Sequence, residues 1–146
     1  MSNKYDCLKL ENQLCFPLYA CSKEVVKRYR PYLDAINLTY TQYIAMMVFW
    51  EHKIHSVKEL GEKLYLDSGT LTPVLKSLEA KGFVKRYRSA ADERVLLVEL
   101  TEEGAALKEK ALEIPKLMAD CVPLSAEESA TLRNLLAKVL GSLEEC

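Results

Sequence analysis

The chain has 146 residues, 20 Lys+Arg against 21 Asp+Glu, and a formal net charge of −1. With 49% apolar and 28% charged residues it is too apolar to be disordered, and its length suits one domain with its own core. Five glycines and five prolines are too few for a sandwich or barrel built on many tight turns, so helices should dominate.

The longest strongly apolar stretch, Tyr43–Trp50, falls well short of the ~20 residues of a membrane span. Charges stand in MSNKYDCLKL where a signal peptide would have its apolar core, so a cytoplasmic chain without membrane contact is expected. Five cysteines, at positions 7, 15, 21, 121 and 146, form no CxxC pair and are joined by only two histidines. A disulfide framework, a metal site and a cofactor are therefore not expected.

Near-neutrality hides an uneven distribution. Residues 1–67 hold nine basic and eight acidic side chains, 68–100 hold six and four, and 101–146 hold five and nine. Between Ser68 and Arg88 stand Lys76, Lys81, Lys85, Arg86 and Arg88 against Glu79 alone. Such a cluster is either a solvated helix face with a charged loop or a local phosphate-binding surface, and charge by itself does not separate these.

In chain order, Leu14, Leu18, Cys21, Val25, Tyr29 and Tyr32 recur at helical steps, predicting one long amphipathic helix over about residues 8–31. Pro17 implies a kink or a late start, and Pro31 with Asn37 marks a break. Thr39 with Gln42 is a capping box opening an apolar helix to about Glu51, and Ser56 with Glu59 is a second, opening a short helix from Val57 to about Tyr65. Helical spacing of Leu71, Val74, Leu75 and Leu78 follows, and Pro73 places the regular start of that helix near Thr70. Phe83–Arg88 and Val95–Thr101 read as a two-stranded hairpin with a polar tip. Thr101, with Glu102 and Glu103 at the positive helix end, opens a helix to about Asp120 that bends at Pro115. Ser125 with Glu128 caps a final helix carrying Leu132, Leu135, Leu136, Val139, Leu140 and Leu143.

Helix, turn, helix and hairpin is the order of a winged helix-turn-helix, whose second helix enters the major groove of DNA. Residues 57–65 and 70–81 would be the helix pair and 83–101 the wing. Ser68, Gly69, Thr70 and Thr72 suit phosphate and base-edge contacts at a helix start, with Lys76 and Arg86 adding charge. Arg94 stands at the wing tip, where a cation can insert into a minor groove. A plain structural helical hairpin with Ser and Thr caps remains the alternative.

LDSGTLTPVLKSLEAKGFVKRYRSAADERVLLVELTEEG (Leu66–Gly104) resembles the DNA-binding half of MarR-family repressors in its recognition helix, its D-E-R wing and its L-T-x-x-G helix start. ENQLCFPLYA (Glu11–Ala20), Tyr29 and LTYTQY (Leu38–Tyr43) resemble the OhrR type within that family, the organic-hydroperoxide-sensing repressors. The resemblance implies a mainly α, winged-helix single domain of about six helices. Residues 1–36 and 105–146 would dimerise and 37–104 would bind DNA. It further implies a homodimer on a pseudo-palindromic operator. Cys15 would be the peroxide-sensing thiol, with Tyr29 and Tyr40 donating hydrogen bonds to it and Tyr19 close by. Asp92 and Arg94 would shape the wing.

The nucleophile toward a peroxide is the thiolate, so a sensor thiol must ionise more readily than free cysteine, whose pKa is about 8.5. Phenol donors and a helix N-terminus serve this, because hydrogen bonds to the charged form favour it. Phe16, Leu18 and Trp50 would favour bulky organic hydroperoxides. Cys15 read without the motif is one small buried residue among many. The product, Cys–SOH, condenses with another thiol, either a low-molecular-weight thiol or a second cysteine. Cys121 is the candidate resolving thiol, with a core-facing helix end as its plain reading. Cys21 is expected to pack in the dimer core, and Cys7 and Cys146 have no assigned role. A MarR-type regulator released by a small aromatic ligand, and a thiol peroxidase, are the two competing functions.

Overall fold

In the computed structural model, which describes residues 3–146, two single 3-10 turns (Asp6–Leu8 and Leu10–Asn12) precede the first α-helix, α1 (Cys15–Asp34). The helix expected over 8–31 thus starts late, with Pro17 in its first turn, where a missing N–H costs nothing. It also runs through Pro31 instead of breaking there. The carbonyl this proline leaves unpaired belongs to Lys27, an exposed residue that water can satisfy. The break comes at Asn37, whose φ of 59° lies in the left-handed region.

Then follow α2 (Tyr40–Glu51), β1 (Ile54–Ser56), α3 (Val57–Leu64), α4 (Ser68–Ala80), β2 (Val84–Arg88), β3 (Leu96–Leu100), α5 (Glu102–Ala111), α6 (Ile114–Ala119) and α7 (Ala126–Glu144). The Thr39 and Ser125 capping boxes are complete. Ser56 makes only half of its box, its Oγ accepting from the Glu59 N–H at 3.1 Å. Helix α4 begins two residues before the expected Thr70. Asp67 caps it by accepting the Thr70 N–H at 2.8 Å, which outweighs Pro73 in the second turn. The helix expected to 120 is broken at Leu112–Glu113. The break stands just before Pro115, which lacks the N–H that would continue the helix ladder.

The expected two-stranded hairpin is a three-stranded antiparallel sheet of order β1-β3-β2. β1 pairs His55 with Val98, and β2 pairs Arg86 with the same Val98. Three residues are too few to show an alternation, so β1 leaves no readable trace in the sequence.

The described chain divides into two compact units, Met1–Ile114 and Pro115–Cys146. In the first, α2 is the central helix, packing on α1, α3, α4, α5 and β3. Its Phe49 and Met46 join Leu60, Leu71, Leu75, Leu78 and Val98 in a core from which water is excluded. In the second, α7 buries none of its residues, and its leucine stripe (Leu132, Leu135, Leu136, Val139, Leu140 and Leu143) stands exposed. Apolar residues of α1 behave alike: Phe16, Tyr19, Val25 and Val26 are exposed, and only Leu33 of that helix is buried. No helix among the described residues is long and apolar enough to cross a membrane.

Candidate nucleic-acid interface and thiol site

Helix α4 turns Leu71, Val74, Leu75 and Leu78 inward, which leaves Ser68, Gly69, Thr70, Pro73 and Lys76 exposed and Thr72 half-buried. One continuous face therefore carries small hydroxyl residues at the helix start and a lysine two turns on. α3 comes close to α4 at Gly61, where a Cβ would lie 3.4 Å from Leu71 Cδ2, and Tyr65–Asp67 join the two helices.

The wing tip is organised by its own side chains. Ser89 Oγ accepts the N–H groups of Ala91 and Asp92 at 3.2 and 3.4 Å, and the Val95 N–H closes on the Asp92 carbonyl at 2.9 Å. Asp92 receives Arg94 in a two-pronged pair, Nε to Oδ1 at 3.0 Å and Nη2 to Oδ2 at 3.1 Å. The Arg94 side chain is 87% exposed, so the pair holds it in a set direction without burying it. Hydrogen bonds from Arg94 keep the Asp92 carboxyl below the usual aspartate range.

Three of the basic residues in this stretch have other partners. Lys81 reaches inward, its Nζ donating to the Asn37 carbonyl at 2.7 Å and to Gln42 Oε1 at 2.8 Å, and burial lowers its pKa. Lys85 pairs with Glu99 at 2.9 Å. Arg86, expected to contact DNA, instead places Nε and Nη2 on Glu79 Oε1 at 3.2 and 3.0 Å, while its backbone N–H donates to Oε2 at 3.0 Å. That geometry ties β2 to α4 and makes Arg86 a brace of the wing. Lys76 and Arg88 have no acidic partner among the described residues.

The brace has a pH signature. Hydrogen bonds from the Arg86 side chain, then its backbone N–H, hold the Glu79 carboxyl below its ordinary value. A depressed carboxyl stabilises the fold fully above its unfolded pKa, about 4.3, and loses that contribution as pH falls through the lower folded value. Melting temperatures of the wild type and Glu79→Gln should differ by a few degrees at neutral pH and converge in acid. A constant difference at all pH values would show that the carboxylate charge plays no part.

Cys15 is the first residue of α1 and is exposed, and its helix start has no side-chain cap. Tyr19, one turn along the same face, is exposed, with Lys23 Nζ over its ring at 5.8 Å. Tyr29 and Tyr40 stand together, ring centroids 5.0 Å apart, with Tyr43 at 5.7 Å from Tyr29 and Trp50 at 6.4 Å from Tyr43. Burial raises the pKa of all three phenols, so they remain O–H donors at neutral pH, and none makes a hydrogen bond within the described chain. Within one chain, however, this cluster is not beside Cys15. Fourteen residues of α1 separate Cys15 from Tyr29, about 21 Å at the α-helical rise.

Trp50, expected to flank the thiol, belongs to the tyrosine cluster, and its Nε1–H donates to the Gly104 carbonyl at 2.9 Å. Cys21 lines an open apolar hollow with Leu10, Phe16, Pro17 and Ala20 and is exposed in the single chain. Cys121 follows α6, exposed, its thiol directed at the Leu117 carbonyl at 3.9 Å.

Gln42 is legible in the sequence only as a capping residue. In the fold it is the sole buried polar residue among the described ones, donating to Ser77 Oγ at 3.0 Å while accepting from Lys81 and the Thr39 N–H. Glu79 leaves no signal, because its partner lies seven residues away across a turn.

The family profile for the transcriptional regulator SarA/Rot matches residues 24–111. The organic hydroperoxide resistance transcriptional regulator of Bacillus subtilis (strain 168) is 51% identical over 145 residues, 99% of each chain. A structure of reduced AbfR bound to DNA superposes with a TM-score of 0.83 at 32% identity, covering 98% of each chain. A mutant MarR from E. coli complexed with operator DNA gives 0.77 at 27%, covering 95% of this chain and 99% of that one. Relatives and fold alike are those of transcriptional regulators, not enzymes. The chain belongs to the MarR family of winged-helix transcriptional regulators, within its organic-hydroperoxide-resistance type.

Proposed function

We propose that the protein is a cytoplasmic, homodimeric repressor that binds operator DNA while Cys15 is reduced and leaves it when an organic hydroperoxide oxidises Cys15. The observation carrying this reading is the separation of an exposed Cys15 from a pair of phenols with uncommitted hydroxyls. Cys15 of one copy meets Tyr29 and Tyr40 of another if two chains pair about a twofold axis, which creates two such sites at once. The exposed apolar stripes on α1 and on α7 are the surfaces such pairing would cover. Residues 1–36 and 105–146 would thus dimerise, and 37–104 would face DNA.

In the reaction, the Cys15 thiolate attacks the terminal oxygen of ROOH. The sulfur–oxygen bond forms as the peroxide bond breaks, and the alkoxide takes a proton and leaves as alcohol. The resulting Cys–SOH loses water to a second thiol, giving a disulfide. Cys121 of a partner copy or a low-molecular-weight thiol would supply that second sulfur. Oxidation disturbs the phenol contacts, and because Tyr40 and Tyr43 open α2, the helix packed on α4, the disturbance reaches the DNA-reading helix.

On DNA, Ser68, Gly69, Thr70, Thr72 and Lys76 would meet the major groove, and Arg94, aimed by Asp92, the minor groove. Arg94→Ala should lower operator affinity roughly tenfold and reduce the salt slope by about one counterion per half-site. Unchanged binding in a salt-titrated shift assay would remove Arg94 from the interface.

The test of the whole reading is release of an operator duplex by cumene hydroperoxide, set against hydrogen peroxide and a phenolic ligand. Release by the organic hydroperoxide at the lowest dose is expected. Release by the phenol alone would favour a ligand-gated regulator instead.

A further inference from the structure

Tyr43 ends the LTYTQY run one helical turn after Tyr40, so the two phenols share a face of α2. Tyr29 and Tyr40 are half-buried, whereas Tyr43 is 3% exposed. Its ring centroid lies 5.7 Å from that of Tyr29 and 6.4 Å from that of Tyr40, and Trp50 meets it edge-on at 6.4 Å. A buried phenol ordinarily finds a hydrogen-bond partner, yet the Tyr43 hydroxyl makes no hydrogen bond within the described chain. Nor is it sealed off: the one fully enclosed side-chain polar atom without a partner among the described residues is His55 Nε2. The little surface that Tyr43 keeps therefore includes its hydroxyl, with Tyr29 and Tyr40 as neighbours. Burial raises its pKa first and the Tyr29 and Tyr40 phenols add to the rise, so it holds its proton at neutral pH.

The reaction at Cys15 needs a proton donor as well as a thiolate. Displacement on a peroxide is in line, with sulfur, attacked oxygen and leaving oxygen on one axis, so donors engaged with the sulfur are not those aligned with the leaving oxygen. The leaving alkoxide is a far stronger base than a phenolate, so a phenol can hand it a proton. We propose that Tyr43 is the general acid of this step, its hydroxyl donating to the leaving oxygen of the organic hydroperoxide while Tyr29 and Tyr40 hold the sulfur. The sulfur–oxygen bond forms as the peroxide bond breaks; the Cys15 sulfur is oxidised to the sulfenic acid and the peroxide is reduced to the alcohol. The alcohol takes its new proton from Tyr43, and water returns one to the phenolate, leaving hydroxide. The assignment rests on the reading that Cys15 of a second copy meets the Tyr29 and Tyr40 pair.

The test compares two aromatic oxidants of similar size on the reduced, full-length protein, cumene hydroperoxide and perbenzoic acid, below the pH at which the peracid ionises. Cumyl alkoxide needs a proton to leave, and benzoate does not. Tyr43→Phe keeps the ring and should slow sulfenic acid formation at Cys15 by cumene hydroperoxide roughly a hundredfold. With perbenzoic acid the same variant should react within about threefold of the wild type. The pH profile of Cys15 alkylation by iodoacetamide, read by mass at that residue, should not move, because Tyr43 does not hold the sulfur. Equal slowing with both oxidants, or a shifted alkylation profile, makes Tyr43 a support of the sulfur or of the packing and overturns the assignment. Wild-type rates with both oxidants overturn it too. A wild type whose Cys15 forms no sulfenic acid with cumene hydroperoxide sinks the Cys15 reading itself, which separates the two failures.

Discussion

Cys15→Ser is expected to bind operator DNA as the wild type does, yet to stay bound at hydroperoxide doses that release the wild type completely. The hydroxyl is close in size to the thiol, and residue 15 is exposed at the start of α1, so the fold loses nothing. A serine hydroxyl does not attack a peroxide bond, so the response has no first step. The arrangement of Cys15 and the phenols makes a sharper form possible. Tyr29→Phe with Tyr40→Phe in one chain should blunt the response, since both hydroxyls proposed to hold the oxidising sulfur are gone. Mixed dimers of Cys15→Ser chains with Tyr29→Phe/Tyr40→Phe chains should then regain one working site, in which the intact thiol meets intact phenols across the interface. If thiol and phenols acted within one chain, no mixed dimer would contain a complete site. Labelling of the sulfenic acid in purified mixed dimers decides between these outcomes, and unlabelled mixed dimers would falsify the shared site.

Gly104→Ala is expected to cost at least about 3 kcal/mol and to lower the melting temperature by on the order of 10 °C, with DNA binding lost in step. Gly104 occupies the third position of α5, where its N–H donates to Thr101 Oγ1 at 3.0 Å. A Cβ there would run into the Phe83 carbonyl oxygen and lie 2.7 Å from Leu100 Cδ1. The Phe83 carbonyl, being backbone, cannot retreat easily. Phe83 O already accepts the Thr101 N–H at 3.1 Å, and the Thr101 hydroxyl donates to the Gly82 carbonyl at 2.6 Å. The base of the wing, the start of α5 and, through Trp50, the tyrosine cluster are thus held at one joint. Trp50→Phe, which removes the hydrogen bond to the Gly104 carbonyl and part of a half-buried ring but forces no clash, should cost less, about 1–2 kcal/mol. Similar melting temperatures for the two variants would contradict the steric account.

The L-T-x-x-G pattern is thus visible in the sequence as a motif, while its reason lies in the fold. Threonine caps the helix, and glycine is there because a backbone carbonyl occupies the space of a side chain. The D-E-R pattern of the wing is similar in kind: aspartate two residues before arginine supplies the two-pronged pair that sets the arginine's direction. Basic residues are the least legible. Lys76, Lys81, Lys85, Arg86 and Arg88 look alike as a cluster, yet Lys81, Lys85 and Arg86 are held by Gln42, Glu99 and Glu79.

The uneven charge, the helical periodicities and the caps at Thr39, Ser56, Thr101 and Ser125 determined most element boundaries from the sequence alone. A cap is a hydrogen bond to a backbone N–H three residues on, so its whole cause lies within one turn. Only the tertiary structure decided which cations of the cluster are paired and that a third strand closes the sheet. Both depend on where chain segments remote in sequence come to rest, and no local pattern contains that distance.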